Sequence, residues 1–332
     1  MAQLLTSAAP HVHSGDSVQK NMLLVIVALL PAFAVSLIAF GWSALITTCI
    51  SIAACVLAEW CISKFLLKQQ PSLCDLSAVL TGLLLAFNLP SNLPWWMVIL
   101  GAIFAIGIGK MVFGGIGQNV FNPALVGRVF LLISFPAAMT TWPLAKGFET
   151  GYVDAQTGAT PLYYLKHILK TGDTSYVDQL PALKDAFLGM MGGSLGEVAA
   201  LALLIGGIFL ICMRVISWHI PVSILATVAV LSWIATPAGM DPHVFIAYEL
   251  LSGGVMLGAI FMATDYVTSP MTAWGKIIFG VGIGVIVVVI RTWGSYPEGM
   301  SFAILIMNAA TPLLNMYIHP NRFGEKKAEA KK

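Results

Sequence analysis

MLLVIVALLPAFAVSLIAF (residues 22–40) contains no charged side chain. A hydrocarbon core about 30 Å thick is crossed by a helix of about 20 apolar residues. The same ruler moved along the chain gives candidate spans near 22–40, 43–63, 76–88, 94–112, 121–136, 197–213, 219–236, 245–263, 275–291 and 301–317. Composition agrees with that reading. The chain is 58% hydrophobic and 10% charged, whereas a soluble domain carries about 25% charge. So few charged groups cannot cover a soluble surface, so the class is an all-α polytopic membrane protein of about ten transmembrane helices. The polar stretch before residue 22 lacks a basic n-region and a cleavage site, so the first run reads as a retained span and not a signal peptide.

Three of the runs, 76–88, 121–136 and the end of 245–263, are short or rich in Gly, Asn and Pro. Broken helices survive at membrane depth only where they face protein or a cavity. The breaks also repeat at an offset of 180: Pro90 matches Pro270, and Gly114 matches Gly294. The first copy runs from Asp75 to Leu132 and the second from Val255 to Leu313. A five-plus-five pseudo-symmetric bundle follows, an organisation typical of transporters. The expected units are an N-terminal segment (1–21), a first membrane repeat (22–136), a polar loop (137–196), a second repeat (197–317) and a basic tail (318–332).

Charge bias sets the orientation. One side collects Lys20, Lys64, Lys68, Lys110, Arg214 and Lys276. The tail adds Arg322, Lys326, Lys327, Lys331 and Lys332. The opposite side has Arg291 in short connections, and Lys146, Lys166, Lys170 and Lys184 in a loop too long to count. Both termini are therefore expected in the cytoplasm and loop 137–196 outside it. The basic tail comes without an aromatic platform or basic domain, so no nucleic-acid partner is expected. Cys49, Cys55, Cys61, Cys74 and Cys212 form no C-x-x-C pair and read as buried free thiols; no metal or iron–sulfur site is expected.

Three segments offer chemistry. In GGIGQNVFNPALVGR (114–128), glycines permit close backbone approach, Asn119 and Asn122 present paired donors and acceptors, and Arg128 enters an apolar helix. The same residues also read as a helix-breaking turn capped by Asn, with Arg128 satisfying free carbonyls. In DAQTGATPL (154–162), Asp, Gly and Pro set a turn, and Thr160 before Pro161 is expected to be extended and exposed. In ATDYVTSP (263–270), Asp265 and Thr268 could contact a cation or cofactor, or end a helix stopped by Pro270. Glu59, Asp75, Glu197 and Glu249 are further acids at membrane depth; snorkelling or capping accounts for Glu59.

In register, GGIGQNVFNPALVGRVFLLISFP (114–136), DAQTGATPL (154–162) and FMATDYVTSP (261–270) resemble one family. It unites RnfD, a membrane component of the Rnf complex, with NqrB, a membrane component of the sodium-pumping NADH:quinone reductase. The resemblance covers nearly the whole chain, and the short segment before the first span brings it nearer the Rnf branch. It implies a bacterial inner-membrane electron carrier within an ion-translocating ferredoxin:NAD oxidoreductase that moves Na+ or H+. It implies iron–sulfur and membrane partner subunits, no catalysis by the chain alone, and a flavin transferase that links FMN through its phosphate to Thr160. Thr157, Gly158 and Ala159 would complete that motif and Asp154 would open it. Non-covalent riboflavin would lie beside Asn119 and Asn122, with Arg128, Asp265 and Thr268 as further cofactor-binding residues. The quinone-reductase component and a stand-alone five-plus-five transporter or channel are the alternatives.

Overall fold

The computed structural model describes residues 16–68, 73–145, 157–172, 174–237 and 239–318 of the chain. Apolar runs become helices where a start signal precedes them. Ser17 caps α1 (Val18–Phe40) by accepting from the Lys20 amide. Gly41, at φ 60°, turns the chain into α2 (Trp42–Cys61), which runs on as a π turn, Ile62–Leu66. Asp75 accepts from the Ser77 amide at 3.0 Å at the head of α3 (Ser77–Phe87). After α4 (Trp95–Gly107), Asn122 caps α5 (Pro123–Ser134) through the Ala124 amide, and Pro123 supplies the preset φ of a first helical residue.

Between α5 and the next long apolar run lie shorter elements: α6 (Pro136–Met139), β1 (Trp142–Pro143), β2 (Thr157–Gly158), α7 (Pro161–Thr171) and α8 (Leu183–Leu188). The second half continues with α9 (Ala200–Cys212), α10 (His219–Ile234) and α11 (Pro242–Leu251). Then follow α12 (Val255–Leu257) with a π turn over Gly258–Met262, α13 (Ala273–Trp293) and α14 (Met300–Tyr317).

Among the described residues, five helices are long and apolar enough to cross a membrane: Val18–Phe40, Trp42–Leu66, Trp95–Phe113, Ala273–Trp293 and Met300–Tyr317. Pro242–Leu251 with Val255–Met262 adds a sixth as a span bent by 62°. The other runs form apolar helices of 10–17 residues: α3, α5, α9 and α10. The exposed tryptophans fit a membrane setting. Trp42, Trp95, Trp96, Trp218, Trp233, Trp274 and Trp293 all lie at or next to helix ends, where an aromatic belt meets the headgroups. At 1.5 Å per residue, Trp274 and Trp293 stand about 28 Å apart along α13, close to the hydrocarbon thickness of about 30 Å.

Lipid tails are as apolar as leucine, so burial against them does not drive helix pairing; close packing and polar contacts do. α2 packs on α3 and α4, and α4 on α5; α10 packs on α11 and α13, and α13 on α14. α1 lies along α9. At Gly82 a Cβ would stand 2.7 Å from the Ile52 Cα, so α2 and α3 touch backbone to backbone. The Ser51 hydroxyl donates to the Gly82 carbonyl at 2.7 Å across that contact. The Thr311 hydroxyl, on α14, donates to the Thr268 carbonyl at 3.0 Å.

The helical class holds, with one small addition: β1 and β2, two residues each, pair antiparallel, Trp142 opposite Gly158 and Pro143 opposite Thr157. Two expectations change. Only Cys55 of the five cysteines is buried in protein; the other four are exposed, and all are free. Lys110, counted among the cations of the cytoplasmic side, is buried with Glu59.

Candidate cofactor sites

The first site is outside the bundle. Pro161 starts α7, whose buried face is Leu162, Leu165, Lys166 and Ile168. Leu162 and Leu165 join Ala186, Met191, Met240, Phe245 and Tyr248 in a separate apolar cluster. Docking of that face draws the helix start inward. Thr160, expected to be exposed, is therefore only 4% exposed. It is the N-cap residue, with extended backbone, and its carbonyl accepts from the Tyr163 amide at 2.9 Å. Its hydroxyl makes no capping bond to the helix.

Thr160 lines a cavity of about 470 Å³ with Trp142, Tyr163, Lys166, His167, Lys170 and Pro297. Two lysines and a histidine face it, and among the described residues its walls hold no carboxylate. Lys166 Nζ donates to the Tyr296 carbonyl. Burial, and then the charge of Lys170, push the Lys166 ammonium down from 10.5 to about 8. A base with a depressed folded pKa weakens the fold while charged; that penalty fades as pH rises from about 8 to 10.5. In the unmodified chain, amine labelling of Lys166, read from peptide mass, should reach its half-point near pH 8. A half-point at about 10.4, that of a free lysine, would contradict this.

The second site lies between the two halves. Asn119, Asn122 and Asp265 line one cavity with Lys110, Ser77 and Phe261, enclosing about 110 Å³. Thr268 donates to Asp265 at 3.3 Å, and the Asn119 side-chain amide, on the same cavity wall, donates to the Phe121 carbonyl at 3.1 Å. Asn122 both caps α5 and donates to the Met262 carbonyl at 3.2 Å, tying the first half to the π turn of the second. Lys110 closes one wall. Its Nζ donates to both Glu59 oxygens at 2.8 and 2.7 Å and to Ser77 at 2.6 Å.

Arg128 does not line that cavity. It lies deeper along α5, donating to Asn88 at 3.3 Å and to Ser301 and pairing with Glu298. This knot satisfies the broken helix. The free amides of Gly253 and Gly254, ahead of α12, donate to Glu197 and Glu298. The free carbonyls at the end of α11 accept from Arg291, Glu249 at 2.6 Å and Ser252 at 3.0 Å. Arg291 also pairs with the Glu249 carboxylate at 2.6 Å. Orphan backbone groups at membrane depth demand such partners, and carboxylates suit a helix start. Gly253 permits the crowding: at φ 73°, its Cβ would sit 2.6 Å from both Arg291 Nη2 and Leu162 Cδ1.

The proposed cofactor residues thus divide. Gly158, Ala159 and Thr160 share the outer cavity. Asn119, Asn122 and Asp265 share the inner one, with Thr268 bound to Asp265. Arg128 belongs to neither, because its guanidinium is taken by Glu298. Asp154 lies outside the described residues, and Thr157 is described only through its pairing with Pro143. Sequence reasoning did not find Glu298, which sits in a short polar link between two apolar runs. Nor did it see Lys166, His167 and Lys170 as one wall; their spacing on the helix that Pro161 opens was the available signal.

The family described as NQR2, RnfD, RnfE matches residues 5–324. The D component of the Na(+)-translocating ferredoxin:NAD(+) oxidoreductase complex of Acetobacterium woodii is 46% identical, over 98% of this chain and 96% of its own. The D component of the ion-translocating oxidoreductase complex of Stutzerimonas stutzeri is 43% identical, over 93% of each. The D component of the proton-translocating ferredoxin:NAD(+) oxidoreductase complex of Clostridium ljungdahlii is 42% identical, over 97% and 96%.

Proposed function

The chain belongs to the NQR2, RnfD, RnfE family, and from that premise we propose that it is the electron-carrying membrane subunit of an ion-translocating ferredoxin:NAD oxidoreductase. It works with membrane and iron–sulfur partners and is not catalytic alone. Relatives of similar identity are named for sodium and for protons, so the family is compatible with either ion. The names on the relatives favour this complex over the quinone reductase.

We assign Thr160 as the attachment point of FMN. The observation that carries this is the outer cavity: one sign of charge on its walls, and a threonine at a helix start. A helix N-terminus favours a phosphate through its dipole; Pro161 has no N–H and the Tyr163 and Tyr164 amides bond the Thr160 carbonyl, so the cations of the wall supply most of the attraction. The residues fit the group. Thr160 would carry the phosphate, Lys166, His167 and Lys170 would balance its charge, and Trp142 and Tyr163 would offer apolar surface to a planar ring. When bound, the flavin ring supplies the electron transfer. The chain holds the phosphate beside the cations and keeps part of the site from water. Thr160→Val should abolish in-gel flavin fluorescence of the denatured chain from cells that express the transferase. A fluorescent valine variant would sink the assignment.

We keep riboflavin as the second occupant. The amides of Asn119 and Asn122, the Asp265 carboxylate and apolar walls suit an amphipathic ring. Ligand pockets usually enclose about 300 Å³ or more, so binding there requires the cavity to widen. We also read the helices as ten spans in two halves related at offset 180, with both termini in the cytoplasm of a bacterial inner membrane. The units are those drawn from the sequence, 1–21, 22–136, 137–196, 197–317 and 318–332. Support comes from the matching packing of α2 on α4 and α4 on α5 in one half and of α10 on α13 and α13 on α14 in the other, with α1 against its counterpart α9.

A further inference from the structure

We infer that docked α7 shields Thr160 from its transferase, so the acceptor is a form in which α7 has lifted away. This rests on Thr160 being the attachment site. A protein enzyme must grip the chain on both sides of the hydroxyl it modifies. Ala159 is exposed, but Thr160 and the two residues after it, Pro161 and Leu162, are buried. Leu162 is wedged against Gly253 at the break in the bent span. Leu165, 1% exposed, anchors the helix in the apolar cluster with Phe245 and Tyr248. Lys166 ties it to the Tyr296 carbonyl. A small molecule can enter the cavity; an enzyme's active site cannot close around the acceptor while these contacts hold.

The step itself is a transfer. A flavin dinucleotide donor loses its phosphoanhydride bond, and the flavin-side phosphorus bonds to Thr160 Oγ1. The mononucleotide leaves from the other side, and the hydroxyl proton goes to a base on the transferase. No oxidant or reductant is needed. Once attached, the phosphodiester anion sits beside Lys166, His167 and Lys170 and relieves the repulsion between the two lysines. Modification therefore locks the helix down. Local opening of this kind draws on the least stable parts of a fold. A small helix held mainly by one apolar cluster is such a part.

The test uses the full chain, purified without flavin from cells lacking the transferase. Transferase and flavin dinucleotide are added, and in-gel fluorescence is followed over time. In the wild type the rate should level off with rising transferase, limited by opening. Leu165→Ala, which removes the anchor without lining the cavity, should raise that plateau about tenfold or more. Leu169→Ala, at the edge of the cluster, should raise it less, and serves if the first variant misfolds. Hydrogen exchange over 161–171 should slow after modification. A wild-type rate still proportional to transferase and equal to that of both variants would overturn the inference. No fluorescence in any chain, the variants included, would instead remove the attachment site on which it stands.

Discussion

Replacing Arg128 with methionine should cost the fold about 3–5 kcal/mol, the usual penalty for leaving a buried charge without its partner. Both members of the Arg128–Glu298 pair are enclosed, with side chains 6% and 11% exposed. Methionine fills much of the space but donates nothing. Glu298 would keep only the Gly254 amide, Asn88 and Ser301 would lose a donor, and the join between α5 and α14 would loosen. Thermal unfolding of the chain in detergent should show the drop directly. The double variant Arg128→Met with Glu298→Gln should recover most of it, because a neutral amide can accept from Gly254 without needing a counter-charge. If the double variant were as unstable as the single one, the loss would come from packing and not from the orphaned carboxylate.

The second large effect is expected at Lys110. Its side chain is 4% exposed and that of Glu59 3%. Lys110→Met should cost a similar amount, about 3–5 kcal/mol. Here the rescue should be nearly complete. Replacing a buried ion pair with apolar residues of like size is often neutral or stabilising, so Lys110→Met with Glu59→Leu should unfold close to the wild-type temperature. The two pairs differ in a second readout. Lys110 also forms a wall of the cavity with Asn119, Asn122 and Asp265. The rescued variant should therefore be stable yet retain less non-covalent riboflavin. Full retention would separate that cavity from the second flavin.

Much of this was legible in the sequence, for reasons tied to particular residues. Asn122-Pro123, Thr160-Pro161 and Asp241-Pro242 each place a residue suited to capping before a proline that starts a helix, and the helices begin there. The apolar runs gave the membrane class because so few charges interrupt them. Asn119, Asn122 and Asp265 were each singled out by their motifs, but their meeting in one cavity came only with the fold. What was hidden was long-range. Arg128 and Glu298 lie 170 positions apart, and neither carries a local pattern that names the other. The burial of Thr160 was missed for a related reason. Turn chemistry before Pro161 predicts an extended backbone, which is what forms. The apolar face of α7 then carries that backbone inward, and no rule about turns contains that step. Lys166 was counted as a loop cation, though its position on the same helix as Leu162 and Leu165 makes it a wall residue.

The most direct test of the account is the mass of the proteolytic peptide containing Thr160, taken from cells that express the flavin transferase. It should be heavier than its sequence by one flavin mononucleotide less one water, with fragmentation placing the added mass on Thr160. An unmodified peptide from those cells, or the same added mass on another residue, would contradict the assignment of this chain as a carrier of covalent flavin at Thr160.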